Sequence, residues 1–258
     1  MQSSERRGKF VIALSGYEPL PELFSLALVE DERAEWDNWH VFFTDDTVTA
    51  HDHPASTCAA YSSFFRRVPI PSEQVHVVKT DRLDPERREI CPHVAREVAE
   101  DVEEELARTF GADAADGTPR FDLVLLGSCA YLLPSHPLLD EHEALLAPVV
   151  GAAHSPTARL TFTLPLLCAA RRLAFVVTGS STRAALANIL DERIAVDDEE
   201  KVSAGRVVLP AGQPVILSAD EEAVEGVNYP SLRFWDGEEE EGEKQAEVEV
   251  NGAVVQPV

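Results

Sequence analysis

Short runs of Val, Ile, Leu and Phe recur along the chain, each ending in small or polar residues and followed by a stretch of helical spacing. Phe10–Leu14 (FVIAL) runs into Ser15-Gly16, and the following PELFSLALVEDE places apolar residues on one helical face. Trp39–Phe43 (WHVFF) stops at Thr44-Asp45-Asp46-Thr47, ahead of a helical stretch over 56–65. Phe121–Leu126 (FDLVLL) stops at Gly127-Ser128-Cys129, and Leu173–Val177 (LAFVV) stops at Thr178–Thr182 before the helix RAALANILDE. Continuous apolar runs of this length, bounded by turn residues, mark strands buried on both faces. Between Pro92 and Phe110 the residues Val94, Val98, Val102 and Leu106 recur at i, i+4 steps with acids facing out, which predicts an amphipathic helix ending at Gly111. Strands alternating with helices predict an α/β fold, a doubly wound, mainly parallel, Rossmann-like sheet with helices on both faces. Ligands of such sheets bind outside the carboxyl ends of the strands, so the loops just named are where chemistry is to be sought.

The end of the chain breaks the pattern. Asp236–Glu243 (DGEEEEGE) is a like-charge run with no apolar face, and from Asp236 onward there are eight acids and one Lys. It reads as a solvated tail over 236–258, separate from a single α/β domain over 1–235. The closing VEVNGAVVQPV fits either a strand that docks back or a disordered end. The body is acidic even without this tail, since 46 Asp and Glu stand against 22 Lys and Arg for a net charge of −24. Such a polyanion is repelled by nucleic-acid backbones and anionic lipid surfaces, so neither is an expected partner. A basic protein partner engaging the tail is compatible with this charge. The start, MQSSERRGKFVIALSG, lacks a secretory apolar core, and no apolar run approaches the roughly 18 to 20 residues that span a bilayer, which predicts a cytoplasmic protein. Cys58, Cys91, Cys129 and Cys168 are scattered without metal-ligand spacing, as suits reduced thiols.

Several residues carry two readings. His51-Asp52-His53 sets two imidazoles at alternate positions, but before Pro54 it reads as a polar turn rather than a metal site. Cys129, ending a central strand, is either a nucleophile facing a ligand or a small packed residue. Thr178–Thr182, at a helix start, either cradles an anion through N–H groups and hydroxyls or caps the helix. Asp45 and Asp46 are paired carboxylates suited to acid–base chemistry, or merely polar.

Three segments resemble the 6-phosphogluconolactonases, within the group that includes the glucosamine-6-phosphate isomerases. They are WHVFF with HDHPASTCAAYSSFFRRVPIPSEQVHVV (Trp39–Phe43 and His51–Val78), FDLVLLG with LPSHPLLDEHEALLAPV (Phe121–Gly127 and Leu133–Val149), and ARLTFTLPLLCAARRLAFVVTG (Ala158–Gly179). The resemblance implies a 6-phosphogluconolactonase-like fold of pentose phosphate pathway lineage. It also implies hydrolysis of a phosphorylated sugar lactone by a His-activated water, with cations and N–H groups on the phosphate and no metal or cofactor. On that pattern Ser15, Gly16, Arg159, Gly179, Ser180, Thr182 and Arg183 would contact a sugar phosphate or other small anion.

Departures from the pattern fall on the functional loops. The family's Gly-x-Gly-x-Asp-Gly-His loop is shortened here to Gly127-Ser128-Cys129-Ala130-Tyr131, losing both His and Asp, and His136 matches a separate His-Pro-Leu-Leu element. Asp-Glu-Arg becomes Asp45-Asp46-Thr47, Gly-Gly-Ser becomes Gly16-Tyr17-Glu18, and the Lys after the LAFVV strand becomes Thr182. Arg159 alone remains of the expected cations, with Arg183 adjacent to the lost Lys. The sequence therefore predicts a family member that binds or regulates without catalysis. The alternative is an active lactone hydrolase with a rearranged site drawing on Asp45, Asp46, Cys129 or His136.

Overall fold

The computed structural model describes residues 8–17, 19–79, 92–111, 117–127, 136–149, 158–190, 203–210, 213–228, 248–250 and 253–257. The sheet begins with the expected strands at the expected bounds, β1 (Phe10–Leu14) and β2 (Trp39–Phe43), paired in parallel. A short strand β3 (Asp45–Thr47) follows, then β4 (Leu123–Leu126), β5 (Leu146–Val149), β6 (Arg159–Phe162), β7 (Leu173–Val177) and β8 (Val215–Ala219). Two terminal strands, β9 (Val248–Val250) and β10 (Ala253–Pro257), complete a sheet of order β2-β1-β4-β7-β8-β10-β9, parallel except for the antiparallel β9–β10 pair. The sheet thus runs past LAFVV into a strand that the apolar runs did not single out. The acidic run 236–243 lies outside the described residues.

Alternation along each strand divides the core in two. Val11, Ala13 and Phe42 point into one hydrophobic cluster, while Ile12, Leu14, Val41 and Phe43 point into the other. Successive side chains leave a strand on opposite faces, so a strand covered on both sides must be apolar throughout, which is why FVIAL shows no polar alternation. The helices supply the covers. On one side α1 (Leu20–Ala27) contributes Leu20 and Phe24, and the stretch expected as one helix forms two, α2 (Thr57–Ala60) and α3 (Ser62–Phe65), which break at Tyr61. Tyr61 leaves the helical backbone at φ −89 and ψ 7 and buries its ring against Phe24. On the other side α4 (Pro92–Phe110) runs over the predicted span and buries Ala95, Val98, Ala99, Leu106 and Phe110. It is joined there by α5 (Leu164–Cys168) and α6 (Arg183–Leu190), and α7 (Glu221–Val224) follows β8. Among the described residues no helix is long and apolar enough to cross a membrane.

A second sheet was not legible as apolar runs. Strands β3, β6 and β5 pair antiparallel, with Asp45 opposite Thr161 and Thr47 opposite Arg159. Thr44 joins the two sheets. Its N–H donates to the Leu14 carbonyl (2.9 Å) in the large sheet, and its carbonyl accepts from Phe162 N–H (2.8 Å) in the small one. The DDT segment, expected as a loop, is thereby held as strand beside the carboxyl end of β1.

Phe121 ties these layers together, with ring centroids 5.6 Å from Phe42, 5.2 Å from Phe110 and 5.4 Å from Phe162. It is fully buried, so Phe121→Ala leaves a cavity shared by β2, α4 and β6. The expected loss is about 3 to 5 kcal/mol of stability, measured as a lowered urea midpoint at unchanged m-value.

Candidate functional site

The carboxyl end of β1 is fixed by its neighbours. Ser15 N–H donates to the Leu125 carbonyl (3.0 Å), the Ser15 hydroxyl accepts from Gly127 N–H (2.7 Å), and the Tyr61 hydroxyl donates to the Ser15 carbonyl (2.7 Å). Ser15 is buried, and its hydroxyl and carbonyl brace the loop against Gly127 and Tyr61. Close approach accounts for the two glycines here. A Cβ on Gly16 would meet Thr57 Oγ1 at 2.9 Å, and one on Gly127 would meet the Tyr17 carbonyl at 2.5 Å.

Beside this loop lie the two carboxylates of β3. Asp45 forms a charge-assisted contact with the Arg159 guanidinium, set up by the pairing of Thr47 with Arg159 across the small sheet. Burial pushes the Asp45 carboxyl up, and the guanidinium in direct contact opposes that shift by favouring the carboxylate. Burial would lower the Arg159 guanidinium, but Asp45 and the Tyr17 phenol beside it hold it above its ordinary value. Asp46 has no such cation. Its Oδ1 accepts from Thr57 N–H (2.7 Å) and its Oδ2 from the Ser56 hydroxyl (3.4 Å), while burial pushes its carboxyl up to about 6. Ser56 also caps α2, accepting from Cys58 N–H at 3.2 Å. The Cys58 thiol, half-buried, is pushed up to about 11 by burial and by Asp46, which leaves it a thiol near neutrality.

Gly16, Tyr17, Asp45, Thr47, Arg159 and the turn 54–57 enclose an open cleft of about 320 Å³. It lies at the carboxyl ends of β1 and β2, where the topology predicts a ligand site. Of the sequence-derived residues, the structure brings Gly16, Asp45 and Arg159 together on its wall, with Asp46 directly behind. The remaining candidates stand elsewhere. Gly179 N–H donates to both Asp220 carboxylate oxygens (3.0 Å each), the Thr182 hydroxyl donates to the Gly179 carbonyl (2.8 Å), and Arg183 donates to the Glu222 carbonyl and the Glu225 carboxylate. Gly179, Ser180, Thr182 and Arg183 do not line the cleft, and an internal carboxylate occupies the loop N–H proposed for an anion. His136 Nδ1 accepts from Leu138 N–H (3.2 Å) and caps the short turn Pro137–Asp140. Cys129 lies outside the described residues, as do Ser128 and residues 130–135. Sequence reasoning missed the roles of Ser56 and Thr57, although Ser ahead of TCAA is a helix-capping signal.

The raised Asp46 carboxyl makes a testable prediction. The folded state holds this proton up to about 6, against an ordinary 3.8, so ionising it opposes folding at neutral pH, and the opposition fades as the pH falls from 6 towards 4. Asp46→Asn keeps an acceptor for Thr57 N–H and removes the buried charge. It is expected to be more stable than the native chain by about 1 to 3 kcal/mol at pH 8, with the difference closing near pH 4, in chemical unfolding followed across pH.

Residues 1–214 match the family described as glucosamine-6-phosphate isomerases/6-phosphogluconolactonase. The chain is 32% identical over 234 residues to the 6-phosphogluconolactonase of Homo sapiens, covering 87% of this chain and 83% of that protein. It is 30% identical over 198 residues to a probable 6-phosphogluconolactonase of Schizosaccharomyces pombe, covering 74% of each. The fold is similar to that of 6-phosphogluconolactonase from Trypanosoma cruzi, with a TM-score of 0.70 at 22% identity over 88% of this chain and 87% of that one. The chain belongs to the 6-phosphogluconolactonase family, within the glucosamine-6-phosphate isomerase/6-phosphogluconolactonase group.

Proposed function

We propose that this chain is a non-catalytic member of the 6-phosphogluconolactonase family, which keeps the cleft at the ends of β1 and β2 for binding or regulation. The observation that carries the reading is the state of Arg159. It is the one cation that the family pattern leaves at the cleft, and it is paired with Asp45 and flanked by Tyr17. A sugar phosphate brings close to two negative charges, and sites for it gather cations and free N–H groups. Here Thr47 and Thr182 stand where the family places Arg and Lys, and the Gly179 N–H already serves Asp220. The segment from Gly127 to Pro134 contains neither the His nor the Asp of the family's catalytic loop. Loss of a general base lowers a rate by about 10² to 10⁴, and loss of the phosphate anchors compounds it.

Asp46 is buried beside the cleft wall, and burial pushes its carboxyl up to about 6. Both of its oxygens are engaged by Ser56 and Thr57, which supports a structural role. The test is hydrolysis of 6-phosphogluconolactone by the purified chain, set against the spontaneous rate and against the human relative at equal concentration. A rate equal to the spontaneous one is expected. Turnover well above it would overturn the proposal and direct a substitution scan to Asp45, Asp46, Cys129 and His136.

A further inference from the structure

We propose that the cleft takes an uncharged, polyhydroxylated small molecule of monosaccharide size in preference to a phosphorylated one, with Tyr17 and Asp45 as the residues that set this preference. The inference rests on the reading of the cleft as a retained binding site and specifies what that site holds. Its volume of about 320 Å³ lies at the small end of the range for small-molecule sites, about 300 to 1,000 Å³.

Charge decides against phosphate. Among the described residues lining the cleft, the charged pair is Asp45 and Arg159, whose charges cancel. A phosphate approaching Arg159 would stand beside the Asp45 carboxylate as well, and like charges repel strongly at a partly desolvated site. No second lining cation offsets this, because Thr47 occupies the adjoining strand position and Arg183 is directed to Glu222 and Glu225.

The same groups suit hydroxyls. A carboxylate next to a guanidinium offers acceptors and donors side by side, and a vicinal diol, whose hydroxyls both give and accept, can satisfy each without bringing net charge. The Arg159 guanidinium carries more N–H donors than its contacts with Asp45 and Tyr17 use, and its side chain keeps 30% of its surface exposed. Tyr17 is 39% exposed and sets an aromatic ring with a polar tip at the rim, an apolar wall for the C–H face of a polyol.

A matched pair of probes, D-glucitol and D-glucitol 6-phosphate, isolates the phosphate. Amide NMR titration of the full chain is expected to show saturable shifts with D-glucitol at Gly16, Tyr17, Thr47 and Thr57, with the phosphorylated probe binding at least tenfold more weakly. Asp45→Asn removes the repelling charge and Tyr17→Ser uncovers Arg159. Each is expected to narrow the preference at least tenfold, and the amide spectrum reports whether each variant is folded. Tyr17→Ser, at an exposed position, serves if Asp45→Asn does not fold. Equal or tighter binding of the phosphorylated probe by the native chain overturns the inference, and so does an absence of cleft shifts with D-glucitol. Either result without lactone turnover leaves the non-catalytic reading standing, whereas lactone turnover overturns that reading first.

Discussion

The backbone of Thr44 donates into the parallel sheet at Leu14 and accepts from the antiparallel sheet at Phe162, and the placement of the cleft groups follows from that double engagement. A strand that ended at Phe43 and entered a free loop would leave Asp45 and Asp46 without fixed neighbours. Because the chain passes directly from one sheet into the other, the Asp45 side chain reaches Arg159 diagonally across β3 and β6, and Asp46 turns towards the start of α2. Backbone hydrogen bonds in buried surroundings are obligatory, so the switch cannot slide by one residue without orphaning donors on both sides.

The two adjacent carboxylates meet burial in different ways. Asp45 is met by a cation, which opposes the upward push of burial, and breaking that pair would leave an uncompensated charge behind. Asp46 is met instead by a backbone N–H and a hydroxyl, and burial pushes its carboxyl up to about 6. A buried imidazole, His76, stacks on Phe42 at a centroid distance of 4.1 Å and is pushed down to about 4, mainly by burial. The two shifts bear on acid stability with opposite sign. Acidification protonates Asp46 with relief, and must force a charge onto His76.

The sequence was informative where one physical rule acted locally. Doubly covered strands read as FVIAL, WHVFF and LAFVV because both faces are buried, and α4 read over its whole span because its valines repeat with the helical period. The small sheet was silent because a three-residue strand of DDT carries no periodicity and owes its conformation to partners more than a hundred residues away. Family resemblance placed Asp45, Gly16 and Arg159 at the cleft, but not the pairing of Asp45 with Arg159. The Thr178–Thr182 stretch left an anion cradle open beside a helix cap, since Asp220, which takes up the Gly179 N–H, lies 41 residues further on. The resemblance offers Ser15 as a phosphate contact, while its hydroxyl accepts from the Gly127 N–H just after β4, a pairing that sequence spacing does not reveal.

The contact between Gly127 and Tyr17 makes two distant loops interdependent. With the Tyr17 carbonyl 2.5 Å from where a Cβ would stand on Gly127, that position has no room for a side chain unless the backbone at Tyr17 moves. Even an alanine methyl at Gly127 would press on the Tyr17 backbone, so a change at the end of β4 would be felt at the cleft rim through the first loop.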